Sequence, residues 1–417
     1  MTFAAPAWTR RSACAALALA AGVAAADPID RILVDRSLRA RQVTIAAISS
    51  TAVELLHDDG TTEPVPLAEI AAILPNTPDA VDPNAWFTDG VRTGIPVIVN
   101  LVDGQRVLGH LPGAGVDRLA PESAMDAAIV EIPGSGPIGV PLDRLSDLVL
   151  VPDAGDAPAK TADDVALLRN GDRATGYVLS VQPRLEIETD AGVVTLALTD
   201  VARVSLANPV EQPHTTHVAL DHGAVFGVSD ISTALNQTVR LTLSLSATDA
   251  PSDSEASTSV AVVETTLESI VSLTPTAAGA RPLASLGFPA YQPTGDRRWS
   301  PPPATIAHAS HAFSSIAFPG PLRATWALPE GTSRFAARAT LGLVPGMFAD
   351  CEVVISVETP DGPVELQRSR IRASDPHADV LVPIPADAGT ITLAVLPGEN
   401  GPVHDRVTFE RPMILVE

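Results

Sequence analysis

The feature that most constrains the fold of this chain is a pattern of short β-type runs and tight turns that recurs along the sequence. A full copy reads LLRNGDRATGYVLSVQPRLEIETDAGVVTLALTDVARVSL, residues 167–206. Its Asn170-Gly171 pair separates two runs of alternating apolar residues, which is the strongest short-range signal for a β-hairpin. A phosphate-binding loop would need a helix after its second glycine, but Gly176 is followed by YVLSV. We therefore predict a turn between strands here.

Three further copies are recognisable, at residues 42–74, 101–151 and 218–273. Each holds about five short strands, too few apolar positions for an open sheet but enough for a small half-closed barrel. Three copies end in a strand, a tight helical turn and another strand (VPLAEIAAI, VPLDRLSDL and LALTDVARV), a pattern that resembles small SH3-like or Sm-like barrels. The sequence predicts tight turns at Gly104, Gly171 and Gly223.

The last part of the chain has a different character. Prolines cluster between residues 274 and 303, and five alternating strand-like segments follow, joined by Gly, Pro and Asp turns. This is the signature of an antiparallel sandwich, and we expect a jelly roll. The predicted fold is thus all-β, with β repeats at 27–78, 79–155, 156–210 and, more divergent, 211–274, followed by a sandwich at 275–417.

The N-terminal residues 1–26 have the pattern of a secretory signal peptide. Arg10 and Arg11 precede a short Ala/Leu run, and Ala24-Ala25-Ala26 forms a small-residue cleavage site. We expect an exported protein, at a periplasmic, cell-surface or extracellular location. No later run approaches eighteen apolar residues, so no membrane span is expected in the mature form.

The composition of the chain disfavours several classes of partner and reaction. The formal net charge of −22 disfavours nucleic acid and anionic membrane surfaces as partners. Lys160 is the only lysine and lies in a linker-like segment, which leaves Schiff-base and P-loop chemistry with almost no candidate. Removal of the leader would leave Cys351 as the only cysteine, so no intrachain disulfide is expected.

Metal and catalytic patterns are weak. The segment HTTHVALDH places His214, His217 and His222 close together with Asp221. In a strand, His214 and His217 would point to opposite faces, so the pattern favours a solvated loop over a zinc site. No G-x-S-x-G motif is present, and pairs of carboxylates prove little in so acidic a chain. We expect no metal and no cofactor.

The C-terminal part also resembles a known family, the NPCBM domain (novel putative carbohydrate-binding module), a galactose-binding-like β-sandwich. The match covers roughly residues 289–417. It rests on His311 followed by Ile316-Ala317-Phe318, on Arg334-Phe335 leading to ATLGL, on CEVVISVETPDG and ITLAVLPGENG, and on Asp405 with VTFERPMIL. Three positions depart from the family pattern: Ala309 stands two before His311 where a glycine is usual, Ser310 stands where a small or apolar residue is favoured, and Phe409 replaces a tryptophan.

The resemblance implies a ligand site at one end of the sandwich, with His311, His404 and Asp405 near it. Sugar recognition needs aromatic platforms beside polar groups, and Trp299 and Tyr291 are the candidates for that role. The plainer interpretation, with Asp405 capping a turn and His311 packing beside a strand, stays open.

The tryptophan of RATWAL, Trp326, is expected in the core. The leading hypothesis is a non-enzymatic exported protein whose sandwich binds a carbohydrate or envelope glycan, with the repeats as spacer or assembly units. The alternative is a structural or protein-interaction component of the envelope without sugar binding, and an enzyme ranks third.

Overall fold

The computed structural model of the chain describes residues 29–75, 94–112, 127–132, 136–151, 162–209, 211, 216–234, 238–244, 262–275, 279–287, 289–294, 305–306, 315–342, 349–401 and 405–417. The expected signal peptide lies outside these residues. Regular structure in the described part consists of β-strands and single-turn 3₁₀ helices, with no α-helix. The all-β fold class expected from the sequence is therefore confirmed.

The first twenty strands fall into four groups of five, which we call units 1 to 4. Unit 1 contains β1 (Ile29–Asp35), β2 (Ala40–Ile48), β3 (Ala52–Leu56), β4 (Thr62–Pro66) and β5 (Ile70–Pro75). Unit 2 contains β6 (Ile95–Leu101), β7 (Arg106–Leu111), β8 (Ala127–Ile132), β9 (Gly136–Pro141) and β10 (Leu145–Val149). Unit 3 contains β11 (Asp164–Leu168), β12 (Arg173–Ser180), β13 (Leu185–Thr189), β14 (Gly192–Leu196) and β15 (Val201–Ser205). Unit 4 contains β16 (Thr216–Leu220), β17 (Val225–Thr233), β18 (Thr238–Leu243), β19 (Val262–Thr266) and β20 (Ile270–Thr274).

The four units share one topology. In each, the first four strands form an antiparallel meander, and the fifth strand returns to pair with the first. A one-turn 3₁₀ helix precedes the fifth strand in units 1, 2 and 3. The domain boundaries given above stay a prediction.

The first turn of every unit contains a residue in the left-handed region. In units 2, 3 and 4 it is Gly104, Gly171 and Gly223, with φ of 87°, 91° and 96°. In unit 1 it is Leu38, with φ of 62°. Each of the four N–H groups donates to the carbonyl three residues earlier, over 2.9 to 3.1 Å. The turn that the sequence signals with glycine therefore also forms where glycine is absent.

Burial explains why a leucine occupies that turn in unit 1. Leu38 is 3% exposed and belongs to a hydrophobic cluster shared by unit 1 and the C-terminal sandwich. Met413 and Leu415 are two of its four members from the sandwich side, and the Arg334 guanidinium also donates to the carbonyl of Ser37 over 3.4 Å. The buried apolar area offsets the backbone strain of a β-carbon at positive φ.

The units associate in two pairs through their fifth strands. The fourth residue of β10, Leu148, faces the fourth residue of β15, Val204. Likewise Ile73 of β5 faces Leu273 of β20, again the fourth residue of each strand. Antiparallel pairing of equivalent positions places a local pseudo-twofold axis at each junction. Unit 2 thus pairs with unit 3, and unit 1 with unit 4.

A third junction connects the two pairs. Val225 of β17 pairs with Arg106 of β7, which joins unit 4 to unit 2. The spatial order is therefore 3, 2, 4, 1, with the sandwich beside unit 1, whereas the chain order is 1, 2, 3, 4. All twenty strands belong to one sheet and share one hydrophobic core.

The C-terminal part is a sandwich of two antiparallel sheets. One sheet has six strands: β21 (Ala280–Pro282), β23 (Thr305–Ile306), β24 (Ile316–Phe318), β26 (Thr332–Leu341), β29 (His377–Pro383) and β31 (Val407–Val416). The other has five strands, in the order β22 (Ala290–Pro293), β25 (Leu322–Ala327), β30 (Thr390–Pro397), β27 (Asp350–Thr359) and β28 (Gly362–Arg372).

Period-two alternation forms the core between the two sheets. On β25, Leu322, Ala324 and Trp326 are buried, while Arg323 is exposed. Trp326 is 2% exposed, so its expected core position is confirmed. Phe318 and Phe409, on neighbouring strands, meet edge to face with ring centroids 5.0 Å apart.

Candidate functional site

Two of the five candidate site residues lie in the described part of the sandwich. Tyr291 is on β22, in the five-stranded sheet, and Asp405 lies two residues before the start of β31 of the six-stranded sheet. Trp299, His311 and His404 lie outside the described residues. The structure thus places the two described candidates in different layers of the sandwich.

Tyr291 occupies an edge strand. It pairs with Ala324 of β25, and its ring packs against the sandwich core while remaining partly accessible. Partial burial raises the pKa of its hydroxyl above the ordinary value. The phenol therefore stays neutral over the physiological range and can serve as a stacking surface with a hydrogen-bonding end.

Asp405 lies inside the protein. Its side chain is 1% exposed, and its carboxylate is close enough to Cys351 to affect that thiol. Burial, helped by the charges of Asp405 and Asp350, raises the pKa of the Cys351 thiol to about 12. Cys351 is therefore a buried thiol and not a nucleophile.

An ionic cluster that sequence reasoning missed fixes one end of the five-stranded sheet. The Arg370 guanidinium holds both carboxylate oxygens of Asp350, and its Nη1 donates to Glu399 over 3.0 Å. The backbone N–H of Glu399 donates to Asp350 over 3.1 Å. These hydrogen bonds hold the pKa of Asp350 at about 2. Arg370 and Arg372 alternate along β28, which is the sequence signal for side chains on one face of a strand.

The histidine segment differs from the expectation of a solvated loop. His217 lies on β16 and is half-buried, and desolvation of its ring lowers the pKa of its imidazole, partly offset by the charge of Asp103. His222 is exposed, with Nδ1 3.2 Å from a carboxylate oxygen of Asp221. His214 lies outside the described residues. The loop interpretation is therefore wrong for His217, which lies in a strand, with Asp103 of unit 2 near enough to affect its imidazole.

A buried polar network fills the same junction of units 2 and 4. Asp103 accepts hydrogen bonds from Arg144 over 2.9 Å and from Gln105 over 2.8 Å. The Gln105 side chain also accepts from the N–H of Gly227 over 2.7 Å and donates to the carbonyl of Ser244 over 3.1 Å. These hydrogen bonds indicate that the network stabilises the contact between units 2 and 4. Among the described residues, no group of three His, Cys, Asp or Glu is arranged to hold a metal ion.

The described surface also contains a groove of about 660 Å³ where unit 3 meets unit 2. Its wall includes residues 175–178 of β12, residues 188–190 at the end of β13, and segments 142–143, 162–164 and 206–209. Gly176 is required here, because a β-carbon would lie 2.0 Å from the carbonyl oxygen of Glu188. The second glycine of the repeat thus allows β12 and β13 to approach closely.

One aromatic ring stands at the groove. Tyr177 is 67% exposed and is the only aromatic among the exposed large hydrophobic side chains of the described residues. Sequence reasoning took this residue only as part of a strand. The signal that could have found it is its position, since a solvent-facing strand position usually carries a polar side chain.

No protein-family model matches the sequence, and no curated protein matches it. Similar solved structures include the CBM51 module of GH95 from Clostridium perfringens in complex with methyl-galactose: identity is 12%, coverage is 32% of this chain and 99% of that chain, and the TM-score is 0.26. The tandem CBM51 modules of Sp3GH98, a family 98 glycoside hydrolase of Streptococcus pneumoniae, are 9% identical. The match covers 93% of this chain and 88% of that chain, with a TM-score of 0.27.

A third similar structure contains the CBM51-2 and INT domains of ZmpB from Clostridium perfringens. It is 11% identical, with 45% of this chain and 39% of that chain covered and a TM-score of 0.27. All three contain carbohydrate-binding modules, and at these TM-scores they assign this chain to no family. In the described part of the chain, no helix has the length and apolar character needed to cross a membrane.

Proposed function

We propose that this chain is a non-enzymatic, exported carbohydrate-binding protein. Its C-terminal sandwich is an NPCBM-like module that binds a glycan, and the four units serve as spacer and assembly elements. The two candidate aromatic platforms are Tyr291 and Trp299, and His311 and His404 supply polar contacts. Asp405, being buried, positions the segment before β31 instead of touching the ligand.

The observation that carries this proposal is the place of the family-like segments in the sandwich. The segment containing Ile316-Ala317-Phe318 forms β24, which pairs with the VTFERPMIL segment of β31. The CEVVISVETPDG and ITLAVLPGENG segments form most of β27 and β30, which pair with each other. Segments that resemble one family thus supply the inner strands of both sheets, in support of a shared scaffold.

Charge supports a neutral ligand. With a formal net charge of −22, the chain repels anions over the range of the Debye length. An uncharged sugar escapes this repulsion and gains its affinity from stacking on aromatic faces and from hydrogen bonds to its hydroxyls. Binding at the sandwich should therefore depend little on salt.

A second candidate function is a structural or protein-interaction component without sugar binding. The observation that favours it is the continuous twenty-stranded sheet, which joins the units through buried contacts. Buried contacts between units restrict their relative motion, as a rigid spacer requires.

The test is a glycan array probed with the full chain at low and high salt. The proposal predicts retention on a defined set of neutral glycans, with signals that change little between about 0.05 and 0.5 M salt. Retention on none of the glycans would favour the second candidate. Signals confined to anionic glycans and lost at high salt would contradict the proposal.

A further inference from the structure

Tyr177 is the residue that distinguishes the groove of unit 3 from the corresponding surfaces of its neighbours. Counting from the turn residue with positive φ, the equivalent positions are Thr44 in unit 1 and His110 in unit 2. The strand pairing supports this equivalence, since Thr44, His110 and Tyr177 each pair with a residue of the third strand of their unit. His110 is 7% exposed, whereas Tyr177 is 67% exposed. An exposed tyrosine here stabilises no core and needs another explanation.

The exposed surface extends from Tyr177 to an open strand edge. Tyr177 pairs with Glu188 of β13, which pairs with Val193 of β14, so the three side chains lie in one row on one face. Val193 is 57% exposed and Val194 is 37% exposed. Within the described residues β14 pairs only with β13, which leaves its outer backbone groups available for another strand.

Acidic side chains decide what can occupy this surface. Asp143, Asp163, Glu188 and Asp190 line the groove and are exposed. A fifth lining carboxylate, that of Asp164, is fixed inside the fold by the N–H groups of two other lining residues, at 2.8 and 2.7 Å. The described lining residues include no lysine and no arginine. The groove therefore favours a cation.

Among the lining side chains, the hydrogen-bond donors are the hydroxyls of Thr175, Tyr177 and Thr189 and the amide of Asn208. The side-chain amide nitrogen of Asn208 already donates to the carbonyls of Leu142 and Leu145, over 2.8 and 2.7 Å. The exposed carboxylates only accept when ionised. A ligand must therefore bring its own donors, and a guanidinium brings five together with a flat face that stacks on tyrosine.

We propose that this surface binds an extended, arginine-containing segment of a basic protein partner. One arginine stacks on Tyr177 and donates to Glu188 and Asp190, and a more distant part of the same segment adds as a strand to the open edge of β14. A second copy of this chain is disfavoured as the occupant, because two chains of net charge −22 repel each other. The proposal does not depend on sugar binding by the sandwich.

The experiment is a fluorescence-anisotropy titration of the full chain with a labelled eight-residue peptide of alternating arginine and valine. The peptide should bind at low salt and lose most of its affinity at high salt, because exposed ion pairs are screened. A lysine-valine peptide should bind more weakly, and a glutamate-valine peptide should not bind.

Single-residue variants of the full chain show whether the peptide binds at the proposed surface. Tyr177→Ala should weaken binding of the arginine peptide about threefold or more, whereas Tyr177→Phe should keep it, since the ring face is what stacks. Glu188→Gln should also weaken binding. The matched controls are Glu54→Gln, an exposed strand glutamate of unit 1, and Tyr291→Ala in the sandwich, and both should bind the peptide as the parent chain does.

The same titration can overturn the proposal. Equal affinity of Tyr177→Ala and the parent chain would do so, and so would displacement of the peptide by a neutral sugar. Concentration-dependent self-association that Tyr177→Ala abolishes would assign the surface to a second copy instead. Tyr177 is exposed, so its replacement leaves the core intact, and thermal unfolding of the variant checks this directly.

Discussion

Arg203 and Asp147 hold the same position, the third residue, in the fifth strands of units 3 and 2, and their side chains form a two-point ion pair. Nε and Nη2 of Arg203 each lie 2.7 Å from a carboxylate oxygen of Asp147. The equivalent positions at the other junction hold Ala72 of unit 1 and Ser272 of unit 4. The two junctions share their geometry, and this ion pair is a feature that distinguishes them.

Breaking the ion pair should strongly destabilise the junction of units 2 and 3. Arg203→Met leaves a carboxylate that is 7% exposed, and the expected loss is about 3 to 5 kcal/mol in the free energy of unfolding. Replacing both residues, as Arg203→Met with Asp147→Leu, should cost less than the sum of the single changes. A double-mutant cycle in denaturant measures the coupling. The exposed pair of Arg240 and Glu264 is the control and should couple by less than about 1 kcal/mol.

Leu38 should be better replaced by glycine than by alanine. Alanine keeps the strain of positive φ and loses the buried contacts, with an expected cost of about 2 kcal/mol or more. Glycine loses the same contacts but relieves about 1 kcal/mol of backbone strain. Chemical denaturation should therefore rank the parent chain first, Leu38→Gly second and Leu38→Ala third. The reverse order of the two variants would show that the turn is unstrained.

Trp326 should act as a core residue whose ring nitrogen contributes nothing. Trp326→Ala should destabilise the sandwich by about 3 to 5 kcal/mol, since it leaves a large cavity. The buried indole Nε1 has no hydrogen-bond partner among the described residues, so Trp326→Phe should cost far less. Equal losses for both variants would mean that the indole N–H is hydrogen-bonded. Val364→Ala, at an exposed position, is the control and should change stability by less than about 0.5 kcal/mol.

The Asp350 carboxylate should stabilise the folded state at neutral pH and lose this effect in strong acid. Its folded-state pKa of about 2 lies below the value of about 3.9 for an unperturbed aspartate. The contribution is therefore present above about pH 4 and is lost as the pH falls towards 2. Asp350→Asn should be less stable than the parent chain at pH 7, and the two unfolding free energies should converge between pH 4 and 2. Parallel pH profiles would exclude this role for the carboxylate.

Local structure could be predicted from the sequence where a single residue type determines the backbone conformation. Gly104, Gly171 and Gly223 could be assigned to turns because positive φ strongly favours glycine. The core position of Trp326 followed from the alternation of RATWAL. Leu38 escaped this reasoning, because its turn depends on a distant hydrophobic cluster that compensates the strain.

The pairing of units could not be predicted from the sequence. Alternation shows which face of a strand is buried, but it does not name the neighbouring strand, and the partners Ile73 and Leu273 are far apart in the chain. The same reason hid the surroundings of His217, since Asp103, whose charge affects its imidazole, belongs to unit 2 and is far away in the chain. Among the candidate site residues, the sequence identified side chains of suitable chemistry, whereas the burial of Asp405 became visible only in the folded sandwich.

Titration of a glycan retained on the array, into the parent chain and into Tyr291→Ala, Trp299→Ala and Tyr177→Ala, tests the central claim most directly. Loss of one aromatic platform should weaken glycan binding by about 1 to 3 kcal/mol in the Tyr291 and Trp299 variants, with little dependence on salt. Tyr177→Ala, in unit 3, should bind the glycan as the parent chain does. Unchanged affinity in both sandwich variants, or a loss confined to Tyr177→Ala, would contradict sugar binding by the sandwich.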